Sequence, residues 1–269
     1  MNAPVRSAPV LLRENLDDIA VLTLNRPAAR NSLSEALIAA LTETLRAVGD
    51  DRSIRVVVLA ANGPGFCAGH DMKEMTARRS DPDRGRAYFN QLMDSCSTMM
   101  QTIVHLPKPV IAIVHGAASA AGCQLVASCD LAIASSAAKF ATPGVNIGLF
   151  CSTPMVALSR NVSRKHAMEM LLTGDLISAE QAQRIGLVNR VVAAGAERDE
   201  ALKLARQIAS KSALTVKIGK EAFYRQLEMS LADAYRYASD VMVENMLARD
   251  AEEGIGAFID KRSPTWEDR

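Results

Sequence analysis

Aromatic residues are scarce, at 4% of the chain with a single Trp, although hydrophobic residues reach 49%. The core must therefore be built from Ala, Val, Leu, Ile and Met, which suits a helix-rich α/β protein. No apolar run approaches the roughly 18 residues of a membrane span. Neither sign of charge dominates: the net charge is +1. With no basic run of polybasic length, nothing favours nucleic acid or an anionic membrane as a main partner. The five cysteines (Cys67, Cys96, Cys123, Cys129 and Cys151) are odd in number and form no CxxC pair. They read as reduced thiols of a cytosol-like compartment, not as a disulfide frame. Four scattered His show no ligand spacing, so no metal is expected. Met1–Pro9 lacks the apolar centre of a secretory signal. It carries Arg6 and Ser7 and no acid, which leaves a truncated organelle transit segment open.

What is present is an alternation of strand and helix patterns over 269 residues, without repeats or low-complexity segments. That length suits one large domain, or one domain with a helical appendage. Ile19–Asn25 reads as a strand. Ser34 is placed to cap a helix carrying Leu37, Leu41, Leu45 and Val48. Ile54–Ala60 is a continuous apolar run, as expected of a strand buried on both faces. Asn62-Gly63-Pro64-Gly65 makes a turn. Gly85–His105 reads as a long helix stopped by Pro107 and Pro109. Val110–Val114 and Leu131–Ala134 read as buried strands flanking a short apolar helix at 120–128. Helices are expected near 152–160, 163–172 and 178–185, then a strand at Leu187–Val192. From about Glu197 the chain becomes helical, with charged and apolar residues interleaved.

The segment Gly116-Ala117-Ala118-Ser119-Ala120-Ala121-Gly122-Cys123-Gln124-Leu125 carries the most information. An apolar strand runs into small residues and then into a helix, whose first N–H groups have no partner of their own. A ligand oxygen can sit there, and small residues let it approach closely. Taken alone, such a Gly/Ala cluster reads as close packing of a helix on a strand. A second cluster, Gly65-Phe66-Cys67-Ala68-Gly69-His70-Asp71, stands upstream. In order and separation the two resemble the oxyanion loops of the crotonase (enoyl-CoA hydratase/isomerase) superfamily, and the resemblance extends from Val21 to Trp266.

That resemblance implies an α/β crotonase fold: a ββα spiral core over residues 1–196 with the acyl-CoA site, and a C-terminal helical oligomerisation region over 197–269. It implies a homotrimer or a dimer of trimers. It makes the backbone N–H groups of His70 and Ala121 the donors to a thioester oxygen. No tightly bound cofactor is expected, because coenzyme A arrives as part of the substrate. Its adenine and pantetheine are expected along Ala68, Asp71, Met72 and Lys73, with Arg26 and Arg30 near the phosphates. Phe258 and Lys261, in Phe258-Ile259-Asp260-Lys261-Arg262, are expected to reach a nucleotide held mainly by a neighbouring subunit. Simpler readings stand beside these. Lys73 and Arg30 are exposed charges, Asp71 is a helix N-cap, and Lys261 ends a helix whose dipole favours it.

The same resemblance exposes a loss. Hydratases of the superfamily carry two catalytic Glu residues, and this chain has Gln124 and Gly144 in their places. Gln cannot accept a proton near neutral pH, and Gly has no side chain. The frame Phe140-Ala141-Thr142-Pro143-Gly144-Val145 fixes the second position. Each well-placed acid or base contributes roughly 10²–10⁴ in rate, so ordinary hydratase turnover is expected to be weak or altered. His70, Asp94 and Gln91 are candidate substitutes, and Cys151 is read as an inert buried thiol. Ser119 suggests a serine peptidase of the same general fold, with His105, His115 or His166 as base, but no peptidase-like His segment follows it. Two functions therefore remain: a hydratase/isomerase-class enzyme with atypical activity, or a non-catalytic acyl-CoA binder of fatty-acid metabolism. The expected location is the cytoplasm in a bacterium and the mitochondrion in a eukaryote.

Overall fold

A computed structural model describes residues 8–269, so most of the Met1–Pro9 segment lies outside the described residues. Strand β1 (Leu11–Leu16) and strand β2 (Ile19–Leu24) form a hairpin, with Asp17 in the left-handed region at φ 55°. β2 then pairs in parallel with β3 (Val56–Ala61), β3 with β5 (Val110–Val114), β5 with β7 (Leu131–Ser135), and β7 with β10 (Arg190–Val192). This six-stranded sheet has the order β1-β2-β3-β5-β7-β10. A smaller sheet contains β4 (Gly65–Cys67), β6 (Ala117–Ser119), β8 (Lys139–Ala141) and the short β9 (Ile177–Ser178).

The two sheets are linked by a repeated step. Each of β3, β5 and β7 leaves the large sheet, adds one strand to the small sheet, and then passes into helix. This is the ββα spiral expected from the resemblance. The helices following β4 are α2 (Met72–Ala77) and α3 (Arg86–His105). α4 (Ala121–Ser128) follows β6, and α5 (Ser152–Asn161) and α6 (Arg164–Thr173) follow β8. α1 (Glu35–Asp50) lies between β2 and β3, and Ser34 caps it by accepting from the Leu37 N–H, as the sequence predicts. α7 (Ala179–Arg184) precedes β10.

Strand periodicity divides the core into two layers. Ala20, Leu22, Leu24, Val57, Leu59, Ala112 and Val114 pack with α1, α3 and α4. Ile19, Val21, Val56, Val58, Ile111, Ile113 and Ile133 face the other way. They are covered by α8 (Glu197–Ala209) through Ala201, Leu202, Ala205 and Ala209. Burying a Val, Leu or Ile contributes about 1.5–3 kcal/mol, so α8 belongs to the core although it lies beyond residue 196. The later helices α9 (Ala213–Gln226), α10 (Leu231–Met246) and α11 (Arg249–Ile259) contain few buried positions. Phe223, Leu227, Leu231, Tyr235, Met242 and Met246 are all exposed there. One buried cation anchors α9: Lys220 Nζ donates to Asp130 Oδ2 (2.7 Å) and to the carbonyls of Ile103 and Lys108.

Candidate functional site

The two Gly/Ala clusters meet. Leu33 N donates to the Gly69 carbonyl at 2.7 Å, and Asp71 N donates to the Leu33 carbonyl at 3.1 Å. In that parallel bridge the intervening His70 N–H faces away from Leu33. Gly69 has φ 93°, and a Cβ on it would stand 3.0 Å from Ala120 Cβ and 3.4 Å from Ala121 N. The second loop is held as firmly. Ala120 N donates to the Ala141 carbonyl at 2.9 Å, and Ala120 takes φ 50° and ψ −117°. Such a backbone costs of the order of 1–3 kcal/mol. It turns the chain directly from β6 into α4, leaving the Ala121 N–H at the helix start. Among the described residues, neither the His70 nor the Ala121 amide has a hydrogen-bond acceptor.

Gly122 fixes the distance between the loops. A Cβ there would lie 2.1 Å from the Cys67 carbonyl oxygen, so only glycine lets α4 seat against β4. Asn31 braces the same region from below, in the left-handed region at φ 54°. Its side chain donates to the carbonyls of Asn62 (2.8 Å) and Gly65 (2.9 Å) and accepts from Arg26 N. Sequence reasoning did not single out Asn31. Its position just after the Arg26-Pro27 turn was the available signal, because Asn tolerates left-handed backbone.

The expected coenzyme A residues divide into two groups. Arg26 is occupied by the protein: it donates to Asp71 Oδ2 at 2.9 Å and to the Ser32 carbonyl and hydroxyl. Asp71 caps α2 by accepting from the Lys73 and Glu74 N–H groups. Burial pushes its carboxyl pKa up, but Arg26, Ser32 and the two amides outweigh that and hold it below the ordinary value. Both residues therefore brace the first loop. Ala68, Met72, Lys73 and Arg30 are exposed around it, and Ala68 N donates to the Arg30 carbonyl at 3.0 Å. Phe258 is 85% exposed, and Lys261 ends the following turn at φ 55°. The tail beyond them is tied elsewhere. Trp266 donates to the Ser210 carbonyl, and Asp268 pairs with Arg55, just before β3 begins. That is the opposite end of the strand from the turn leading to His70.

Gln124 and Gly144 differ from each other. Gln124 lies one turn into α4, 5% exposed, and its Oε1 has no partner among the described residues. Thr142 is fully buried, with a hydroxyl that has no partner among the described residues; it directly follows β8, which pairs with β6. Gly144 is not merely vacant. A Cβ there would meet the Leu149 carbonyl oxygen at 2.8 Å and Cys151 Sγ at 2.9 Å, and Gly144 N donates to that sulfur at 3.3 Å. The thiol of Cys151 and the Leu149 carbonyl therefore leave no room for a Cβ at position 144. Burial pushes the Cys151 pKa up, with the Gly144 amide pulling against it. The neighbouring Cys123 is pushed up to about 12 by burial.

The other candidates scatter. Burial lowers the His70 pKa, and its buried Nε2 has no partner among the described residues. Gln91 and Asp94 line a cleft of about 660 Å³ between α1 and α3. Near Ser119 no triad forms: His115 Nε2 pairs with the Gly63 carbonyl, and His166 Nδ1 with the Ser163 hydroxyl.

A family profile described as "Enoyl-CoA hydratase/isomerase" matches residues 14–269. The chain is 47% identical over 251 residues to human mitochondrial enoyl-CoA hydratase domain-containing protein 3, covering 93% of this chain and 81% of that protein. It is 35% identical to a probable enoyl-CoA hydratase of Rhizobium meliloti, over 98% of this chain and all (100%) of that one. Among solved structures, an enoyl-CoA hydratase from Mycobacterium smegmatis superimposes with a TM-score of 0.92 at 52% identity, covering 96% of this chain and 99% of that chain. The human domain-containing protein 3 gives a TM-score of 0.91 at 46% identity, covering 96% of this chain and 100% of that one. The chain belongs to the enoyl-CoA hydratase/isomerase family.

Proposed function

We infer that this protein binds acyl-CoA thioesters and polarises their carbonyl between the backbone amides of His70 and Ala121. The observation that carries this reading is the pair of unpartnered amides on two loops in contact, one of them on a strained turn. Charge that develops on a thioester oxygen is stabilised by such fixed donors, each worth roughly 2.7–4 kcal/mol of barrier. Ala68, Met72, Lys73 and Arg30 offer the exposed surface for pantetheine and phosphates, while Arg26 and Asp71 hold the loop in place. Phe258 and Lys261 reach a nucleotide only across a subunit boundary. The exposed apolar faces of α9 and α10 support such self-association, as a trimer or a dimer of trimers.

Hydration of an enoyl thioester needs a group to activate water and a group to protonate the α-carbon. Gln124 holds a water without taking its proton, and Gly144 contributes nothing. The protein is therefore a hydratase/isomerase-class enzyme of weak or altered hydratase activity. A non-catalytic acyl-CoA binder is the second reading, favoured by the absence of both carboxylates. Incubation with a panel of saturated, enoyl and hydroxyacyl thioesters, read by mass spectrometry, separates the two. Conversion of any member supports the enzyme; binding across the panel with no change supports the binder. No binding to any member overturns both. Five buried free thiols support a reducing compartment, cytosolic or mitochondrial.

A further inference from the structure

Four buried side-chain polar atoms lack a hydrogen-bond partner among the described residues, and two of them flank one turn of the site. Gln124 Oε1 and Thr142 Oγ1 sit on residues 5% and 0% exposed. Ala120 joins their backbones. Its N–H donates to the Ala141 carbonyl at 2.9 Å, and its own carbonyl accepts from Gln124 N at 3.0 Å. The β6–β8 register pairs Ala118 with Phe140 and Ser119 with Ala141, which brings Thr142 level with Ala120. Buried oxygens are rarely left unpaired, and one bound water completes both. Gln124 is also aimed at the ligand side of the turn. It follows Ala121 by three residues, a rise of about 4.5 Å along α4 on the same helix face. A helical side chain leans toward the N-terminus of its helix, so the carboxamide extends toward the Ala121 N–H. Of its two polar atoms, the oxygen is the one sealed without a partner.

We propose that Thr142 is a positioning residue whose hydroxyl shares one buried water with Gln124 Oε1, so that the carboxamide nitrogen is presented to the acyl chain and selects an acceptor oxygen on its β-carbon. The proposal rests on the acyl-CoA reading of the site, and it narrows the ligand to a 3-oxoacyl thioester. Thr142 acts through the water and does not touch the ligand. The water donates to Oε1 and bonds the Thr142 hydroxyl, which both donates and accepts. With its oxygen held inward, Gln124 offers N–H donors where an ionised carboxylate only accepts. The two carbonyls of a 3-oxoacyl thioester stand one carbon apart. Both are then met from the first turn of α4, one by the Ala121 N–H and one by Gln124 Nε2. A saturated chain of equal length gives that nitrogen nothing to bond. A β-hydroxyl brings a donor suited to Oε1, but the water already serves that atom.

The test is calorimetry on the full chain with acetoacetyl-CoA, 3-hydroxybutyryl-CoA and butyryl-CoA, which share one chain length. Acetoacetyl-CoA should bind a few-fold to about tenfold more tightly than butyryl-CoA, the worth of one neutral hydrogen bond. The ratio of the two affinities should fall toward one in Thr142→Val, which keeps the shape and removes the hydroxyl. It should persist in Thr142→Ser, which keeps the hydroxyl, and it should be lost in Gln124→Glu, which has no N–H to give. A merely structural role for Thr142 would move both affinities together and leave the ratio alone. The comparison of ligands in the unaltered protein stands on its own if a variant does not fold. Equal affinities there, tighter binding of 3-hydroxybutyryl-CoA than of acetoacetyl-CoA, or a ratio that survives Thr142→Val overturns the positioning proposal alone. Failure of every thioester to bind overturns the site reading beneath it.

Discussion

Gly122→Ala is the sharpest probe of the site, because one methyl group meets backbone rather than a movable side chain. The added Cβ would lie 2.1 Å from the Cys67 carbonyl oxygen and 2.8 Å from its carbon, well inside the 3.4 Å where ordinary contact begins. Relief requires β4 and α4 to separate by about 1 Å, a displacement that can cost about 10²-fold where catalytic geometry is decisive. Overpacking of this kind costs about 1–3 kcal/mol of stability. The loops bearing the His70 and Ala121 amides ride on those same elements, so the two amides part as well. Losing one neutral hydrogen bond costs about 0.5–1.5 kcal/mol, or a few-fold to about tenfold in Kd. Urea unfolding reads the first effect. The stretching frequency of a ¹³C-labelled thioester carbonyl, bound and free, reads the second: the shift seen in the parent should shrink in the variant. Gly219→Ala is the control, since nothing lies within 4 Å of its Cβ and it sits inside α9. It should be stabilised by up to about 1 kcal/mol. A Gly122→Ala protein with parental stability and an undiminished carbonyl shift would refute the reasoning.

Two further outcomes follow from particular contacts. Gly144→Glu alone should lower stability and add no measurable crotonyl-CoA hydration, because its Cβ meets the Leu149 carbonyl and Cys151 Sγ. Pairing it with Cys151→Ala should recover part of the stability, and an equal loss in both proteins would argue against the contact. Asp250 should govern acid sensitivity. Burial pushes its carboxyl pKa up, but the Ser212 hydroxyl and the amides of Glu267 and Asp268 together hold it below 3.8. A depressed carboxylate contributes stability above its unfolded pKa and loses it as pH falls through the folded value. Unfolding midpoints should therefore fall below about pH 4, and less steeply in Asp250→Asn; identical pH profiles would contradict the assignment.

Much of the architecture was legible because buried strands advertise themselves. The runs at 54–60, 110–114 and 131–134 correspond to β3, β5 and β7, shifted by no more than two residues. The small sheet was not legible. Its strands Gly65–Cys67 and Ala117–Ser119 are only three residues long, too short for strand alternation to show, so they read as loops. β1 was missed because LLRENL is mostly exposed and lacks alternation. The expected strand at Leu187–Val192 shortens to Arg190–Val192, because the amides of Leu187 and Val188 turn back to the Ala182 carbonyl. In the site, motif spacing singled out the two Gly/Ala loops that the structure brings together. It could not reveal that Arg26 is consumed by Asp71, nor that Cys151 folds back onto Gly144. Both depend on side chains meeting through space across intervening chain.

The sulfur lodged beside Gly144 also bears on how this branch could change in future. A side chain at position 144 would meet the Leu149 carbonyl and that sulfur, so the position does not change alone without strain. Placing a carboxylate there demands changes at two sites, with the first one unrewarded. New side-chain chemistry is accordingly more accessible from the amide one turn into α4 than from position 144.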